Sequence, residues 1–349
     1  MTSRTYVGTK AFAIKGSLLD SSTVTKLAEA TSLDELVNRL RGTPYATSLA
    51  GLTPPYSARK IELALRGRQA TVHHTIMQGA GKYKIIELYY LRNIAWDLKL
   101  ALKAKALNRT YEETIEYLDM TAEQLVGRRD LLAKVLTSKD VNEAVSMLSG
   151  TEFSADAEKA LGVYNAKGEV RFFDVYIEHA VLSAISKEYS QNSKLYSYRT
   201  NANGVGDIVA IDIDAYNVVS VLRAKLWGLR DAEVQELIIT PTGRVNLSTL
   251  KAMAAAESVT DGAKLLESSY LFSVPGASSE EGVIDAVEEA FAKELRQTAA
   301  LAFVWQGLSA GTILAVVRLM DVEVGNLAAI AIGVEARMDP KQILAKLRT

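Results

Sequence analysis

The stretch IDIDAYNVVSVLRAKLWGL (211–229) admits two readings, and the choice between them sets the fold. On a strand or loop, Asp212 and Asp214 point the same way and, with Asn217 nearby, suit a divalent cation. On a helix the two carboxylates lie about 200° apart and cannot share an ion. The apolar residues decide for the helix. With Val218 at 0°, Leu222, Leu226 and Leu229 fall at about 40°, 80° and 20°, a single stripe. Asp214 and Lys225 fall on that stripe, at about −40° and −20°, whereas Asp212 falls at about 120°. The metal reading is therefore disfavoured, and Asp212 is assigned to the approach to the helix. A charge on an apolar stripe is unfavourable to bury alone, so Asp214 and Lys225 each require a partner on another helix.

The stretch has relatives within the chain. DLKLALKAKALNR (97–109), NVVSVLRAKLWGL (217–229) and NLAAIAIGVEARM (326–338) each open on a small polar residue, Asp97, Asn217 or Asn326, offset by 120 and 109 residues. Leu102-Lys103-Ala104-Lys105 matches Leu222-Arg223-Ala224-Lys225, and a new helix start follows each copy, at Thr110, Asp231 and Asp339. A second set, SLDELVNRLRGTPY (32–45), DVNEAVSMLSGTEF (140–153) and SVTDGAKLLESSY (258–270), ends on Tyr45, Phe153 and Tyr270, offset by 108 and 117. Two independent alignments in the same order indicate a threefold repeat, which divides the chain into 1–113, 114–230 and 231–349. Glu323 stands in the third copy where Asp214 stands in the second, and Lys105 in the first where Lys225 stands in the second. These charges join neighbouring repeats or line a central space, or else they sit at the solvent edges of their stripes.

The fold class is all-α. The six prolines lie at positions 44, 54, 55, 241, 275 and 340, leaving 56–240 free of the residue that most disrupts a helix interior. Ser32-x-x-Glu35, Thr110-x-x-Glu113 and Thr121-x-x-Gln124 are capping-box patterns, and Asp339-Pro340 puts a cap before a proline at the first helical position. The best strand candidate is EVRFFDVYI (169–177). Residues 299–317 are uncharged and nearly long enough to span a bilayer, but two glycines, Gln306, Ser309 and Thr312 favour a buried core helix.

Composition removes several functions. With 40 Lys+Arg against 41 Asp+Glu the net charge is −1, which gives no drive toward nucleic acid. There is no cysteine, so thiol chemistry and cysteine-ligated zinc are excluded. The start of the chain lacks a signal-peptide apolar run, and the sequence reads as soluble and intracellular. QGAGKY (78–83) lacks the first glycine and the final Ser/Thr of a P-loop, and NANGVG (201–206) follows no strand. His73, His74 and His179 build no triad, Glu178-His179 reads as helix surface, and Glu288-Glu289 reads as solvated helix. No catalytic, cofactor-binding or metal-ligating residue is assigned. Lys99, Lys103, Lys105 and Arg109, with Arg223, Lys225 and Arg230, make a candidate positive surface for an acidic protein or lipid headgroups.

The triple repeat, the opening YVGTKAFAIKGSLLD, TSLDELVNRLRGTPY, DIDAYNVVSVLRAKLWG and DVEVGNLAAIAIG together resemble the C-type stalk subunit of the archaeal-type (A/V-type) rotary ATPases, whose equivalent in the eukaryotic vacuolar enzyme is the d-type subunit. The resemblance runs over essentially the whole chain and rests on the order and spacing of short motifs. It implies three similar helical domains around a pseudo-threefold axis, forming a funnel. It also implies a non-catalytic adaptor, peripheral on the cytoplasmic face, that seats the central-stalk subunits (D/F type) on the membrane rotor ring of proteolipid subunits. Torque then passes between ATP chemistry and proton or sodium translocation, with no nucleotide or nucleic acid bound by this chain. The partner-contact candidates are the repeat-signature residues Asp97, Lys103, Lys105, Asp214, Asn217, Arg223, Lys225, Asp321, Glu323 and Asn326. The chain departs from the family at Asp97, where asparagine is usual, and in the apolar run before Asp321; Lys10 and Lys15 are what remains of a more basic start. A free-standing helical repeat scaffold with a binding groove is the other reading.

Overall fold

The computed structural model describes residues 4–81, 83–196, 204–270, 279–305 and 307–348. Among them there is no strand. Six long helices form three hairpins: Ala58–Ala80 with Lys84–Ala106, Arg171–Tyr196 with Gly204–Leu226, and Glu280–Trp305 with Ala310–Glu335. Shorter helices fill the intervals. The strand candidate 169–177 is corrected: it lies at the start of Arg171–Tyr196, whose Phe172, Phe173, Val175, Tyr176 and Ile177 are all buried. That helix is packed by Lys84–Ala106, Gly204–Leu226 and the shorter Ser154–Lys167. Covered on so many sides, it carries a nearly continuous apolar run that imitates a strand. Residues 299–317 are split between two helices, with Ser309 capping the second through its hydroxyl. No helix among the described residues is long and apolar enough to cross a membrane.

The repeat shows first at the end of each hairpin's second helix. Asn108, Gly228 and Arg337 occupy the same place in the three copies, with φ of 54°, 62° and 55°. The next amide then reaches back to the last turn: Arg109 to the Ala104 carbonyl, Leu229 to Ala224 and Met338 to Gly333, each at 2.9 Å. This left-handed close suits Gly228, is tolerated by Asn108 and strains Arg337. A short helix begins at once behind Thr110, Arg230 and Asp339. Glu113, Glu233 and Gln342 accept from the amides of those caps at 3.0, 2.9 and 3.3 Å. Two expected caps move by one residue: Arg230, not Asp231, is the second cap, and Met120 precedes Thr121, which is itself helical. Backbone geometry, with Met120 at φ 54°, outranks side-chain type there.

The hairpins pack in cyclic order. Lys84–Ala106 lies on Arg171–Tyr196, Gly204–Leu226 on Glu280–Trp305, and Ala310–Glu335 on Ala58–Ala80. The second helix of each hairpin thus meets the first helix of the next, and the third hairpin returns to the first. The chain ends share a core of their own. Leu27, Leu36, Leu40, Leu49, Ile61 and Leu65 pack with Leu327, Ile330, Ile343 and Leu347. Each such fully buried side chain contributes about 1.5–3 kcal/mol, enough to hold residues 21–45 on the last long helix.

Candidate functional site

All six long helices contribute to one cavity of about 450 Å³. Its apolar lining includes Ala215, Val219, Phe291, Leu295 and Val322, interrupted by a dense set of charges. At its centre the Arg318 guanidinium meets Asp212 through Nη2 at 2.7 Å and Nε at 3.1 Å, and also bonds Asp321. The Tyr89 hydroxyl donates to Asp212 at 2.8 Å, and the Gln69 amide donates to Asp321. Tyr89 and Gln69 come from the first hairpin, Asp212 from the second, Arg318 and Asp321 from the third. One hydrogen-bonded cluster therefore ties all three. Burial works against the charge on Arg318, yet the two carboxylates raise its pKa above the ordinary arginine value. Around the wall, Arg92 and Lys99 grip Glu178 at 2.9 and 3.1 Å, and Arg223 grips Glu288 at 2.7 Å. Burial disfavours the Glu178 charge, but those two cations hold its pKa down at about 2.

Asp212 is placed differently from its sequence assignment. It lies within the helix Gly204–Leu226, is buried, and is paired across the molecule. Arg318, which nothing in the periodicity singled out, is its partner. The only sequence signal was a lone cation closing an uncharged run. Glu178 and Glu288, read as surface, also line the cavity.

The repeat-signature residues mostly serve as brackets. The Asn217 amide accepts from Ile239 N at 2.8 Å and donates to Ile239 O at 3.0 Å. Asn326 does the same to Arg348, at 2.8 and 3.2 Å. Both partners lie 22 residues on. An ionised aspartate in this place can only accept. Asp97 takes the Met120 amide at 3.3 Å and sits beside the buried Glu123. Burial raises the pKa of both carboxyls, the Met120 amide holds Asp97 back, and the Asp97 charge adds to the rise at Glu123.

Three residues before Asn217 and before Asn326 a second contact forms. Asp214, fully buried, accepts from Gly243 N, Arg244 N and Val245 N at 3.1, 2.6 and 3.2 Å, and from the Tyr270 hydroxyl at 2.6 Å. A Cβ on Gly243 would fall 2.6 Å from both Asp214 oxygens, so this close wrap needs glycine. Glu323 accepts from Leu19 N at 2.6 Å and from the Tyr45 hydroxyl at 2.7 Å. Burial raises the pKa of both acids, against the pull of these donors. In the first copy the places of acid and tyrosine are taken by Ile94 and Phe153, both buried. Lys105 donates to Ser138 O at 2.8 Å and Lys225 to Ala254 O at 3.4 Å and Ala256 O, each at the C-terminal end of a short helix. Positive charge there is favourable to the helix dipole. With the chain divided as above, these contacts run from one third into the next, except Asn326–Arg348, which stays within 231–349.

The candidate positive surface is largely neutralised, with Arg109 and Arg230 exposed but each beside a glutamate, Glu113 at 3.8 Å and Glu233 at 3.2 Å. Lys103 is held by Asp174 at 2.7 Å, and Lys99, Arg223, Lys105 and Lys225 have the partners already named. His73 is buried, with Nε2 3.0 Å from Ile86 O, and burial lowers its pKa to about 4. His179 is paired with Asp156 at 3.0 Å. QGAGKY ends a helix at Ala80, followed by Gly81 with φ 42°; its Lys82, and residues 201–203 of NANGVG, lie outside the described residues.

A profile of the ATP synthase (C/AC39) subunit family matches residues 7–346. Among curated proteins, the C-type subunit of the A-type ATP synthase of Pyrococcus abyssi is 26% identical over 353 residues, covering 98% of this chain and 89% of that protein. Its namesake from Pyrococcus horikoshii is 25% identical over 356 residues, with the same coverage. That of Methanosphaera stadtmanae is 25% identical over 226 residues, where the match spans 61% of this chain and 56% of the relative.

Proposed function

The chain belongs to the ATP synthase (C/AC39) subunit family, and we propose that it is the non-catalytic adaptor seating the central stalk on the membrane rotor ring. In this reading the three thirds, 1–113, 114–230 and 231–349, each bring one long hairpin to a funnel around a pseudo-threefold axis. The central-stalk subunits enter the cavity, the proteolipid ring lies beneath, and the chain sits peripherally on the cytoplasmic face. It passes torque between ATP chemistry and proton or sodium movement and binds no nucleotide. The observation that carries the reading is the cyclic packing, in which the third hairpin closes on the first around a shared cavity. A solenoid scaffold stacks its repeats in an open row and leaves the terminal ones without that contact, so the scaffold reading is the weaker one. The clasps from each third into the next, and the Arg318 cluster at the centre, support a body that turns as one piece.

Ala215 lines the cavity wall and tests the socket. Ala215→Arg is expected to weaken binding of purified stalk subunits at least about tenfold, about 1.4 kcal/mol, while leaving rotor-ring binding and helical content intact. Unchanged stalk binding by a folded variant places the stalk elsewhere.

A further inference from the structure

The helix ends that flank the hairpin turns are drawn together at one end of the molecule. Tyr196, closing the first helix of hairpin two, accepts from the Ile85 amide of hairpin one at 3.3 Å, and its ring lies 6.2 Å from that of Tyr83. The N-terminal helix Arg4–Gly16 bridges the remaining gap, with Gly8 against Leu308 of the third turn and Val7 against Gly79 of the first. A side chain at Gly8 would collide with Leu308, so this approach depends on glycine.

The third turn differs from the rest of the surface. Leu301, Val304 and Trp305 are 53%, 67% and 64% exposed, and Leu308 continues the same strip. The spacing of Leu301, Val304 and Trp305 puts these three on one face of the helix Glu280–Trp305, with Leu308 beyond its end and against Gly8, while Ala299, Ala302 and Phe303 face inward. Phe12 packs edge-on against Phe303, with ring centroids 5.0 Å apart, and Lys15 Nζ lies 5.1 Å from the same ring. Acidic residues are absent from the helix Arg4–Gly16 and from the described residues that flank the hairpin turns, 75–81, 83–86, 189–196, 204–206, 295–305 and 307–312. Lys10, Lys15, Lys84 and Lys194 stand among them. Of the carboxylates bordering these segments, Glu188 is engaged by the Tyr196 hydroxyl at 2.6 Å and Glu87 by Lys84.

We propose that this end inserts the Leu301–Val304–Trp305–Leu308 strip into the interface of an anionic lipid bilayer, with Lys10, Lys15 and Lys194 over acidic headgroups. The strip is exposed and apolar, three aliphatic side chains and one tryptophan. A protein interface buries its anchors in matching pockets and is depleted in lysine. A bilayer interface accepts a projecting apolar wedge without a pocket, favours tryptophan at headgroup depth, and attracts flanking lysines. An acid-free, lysine-bearing rim is the charge complement of such a surface. The proposal deepens the peripheral membrane placement above and rests on it, but the two fail separately: lipid binding needs no rotor ring.

The test is co-sedimentation of the full chain with phosphatidylcholine vesicles, with and without phosphatidylglycerol, together with quenching of Trp305 by acyl-brominated lipid. The Trp305 signal is the emission lost in Trp305→Phe. Binding is expected only with the anionic lipid, lowered at least about tenfold by Val304→Ser with Trp305→Ala. Lys10→Gln and Lys15→Gln are each expected to lower it about fivefold, and added salt to weaken it. Both substituted strip residues are exposed, so circular dichroism of that variant should be unchanged. No anionic-vesicle binding by the folded chain overturns the proposal, and so does undiminished binding by the strip variant. Strip variants that lose rotor-ring binding, in a chain that ignores vesicles, make this a protein-binding surface and overturn it too. Vesicle binding with no affinity for rotor ring or stalk supports the lipid site and contradicts the adaptor reading.

Discussion

Asn217 does with one amide what a turn of backbone would otherwise require: it accepts from Ile239 N and donates to Ile239 O while fully buried. Asn217→Ala leaves a buried donor and acceptor unpaired, and we expect a loss of about 2–4 kcal/mol in urea unfolding; a change under about 0.5 kcal/mol would show that water replaces the bracket. The first copy makes the opposite prediction. Asp97 and Glu123 have pKa values raised chiefly by burial, with Asp119 adding negative charge nearby and Arg59 opposing it at Asp97. Because these folded-state values lie above the unfolded ones, the pair's contribution is complete below the ordinary carboxylate range and is lost as pH rises through the raised values. Glu123→Gln should flatten the fall in stability over that rise; an unchanged slope would remove the pair from the account. At this scale the inward aim of Asp214 was legible, because the stripe containing it lies on one helix. Asp212 was not. Its partner Arg318 lies 106 residues away on another hairpin, and helical periodicity carries no information about which helix will arrive.

The repeated element is a long helix, a left-handed close, and a capped short helix, with the same last-turn bond of 2.9 Å in all three copies. Arg337 is the strained copy, since a side chain in the left-handed region costs about 1–2 kcal/mol that glycine avoids. Arg337→Gly should therefore raise stability by about 0.5–1 kcal/mol, visible as a higher thermal midpoint. A lower midpoint would mean that the arginine side chain contributes something the close does not explain. Sequence marked these elements well where local chemistry makes them, at Ser32, Thr110 and Asp339. It misplaced the caps at Arg230, where the preceding close sets the start, and at Met120, where that residue's own left-handed backbone does. It misread 169–177 because burial by several neighbours erases the helical period.

At the scale of the whole chain, periodicity made the repeat legible, whereas closure was expected only from the family resemblance. Periodicity gives a count of three; it does not say that residues 21–45 pack on the last long helix, or that the third hairpin returns to the first. Those contacts come from apolar faces separated by nearly the full length of the chain. Their consequence is a cavity walled by every long helix and tied by Tyr89, Asp212, Arg318, Asp321 and Gln69. A cyclic body with a central socket suits an adaptor between a shaft and a ring. The most direct measurement is retrieval of the tagged full chain from gently solubilised native membranes, followed by identification of what accompanies it. The account predicts that stalk subunits and rotor-ring proteolipid come away together in fixed proportion, and that Ala215→Arg releases the stalk while keeping the ring. A stable, folded chain that retrieves neither would contradict it.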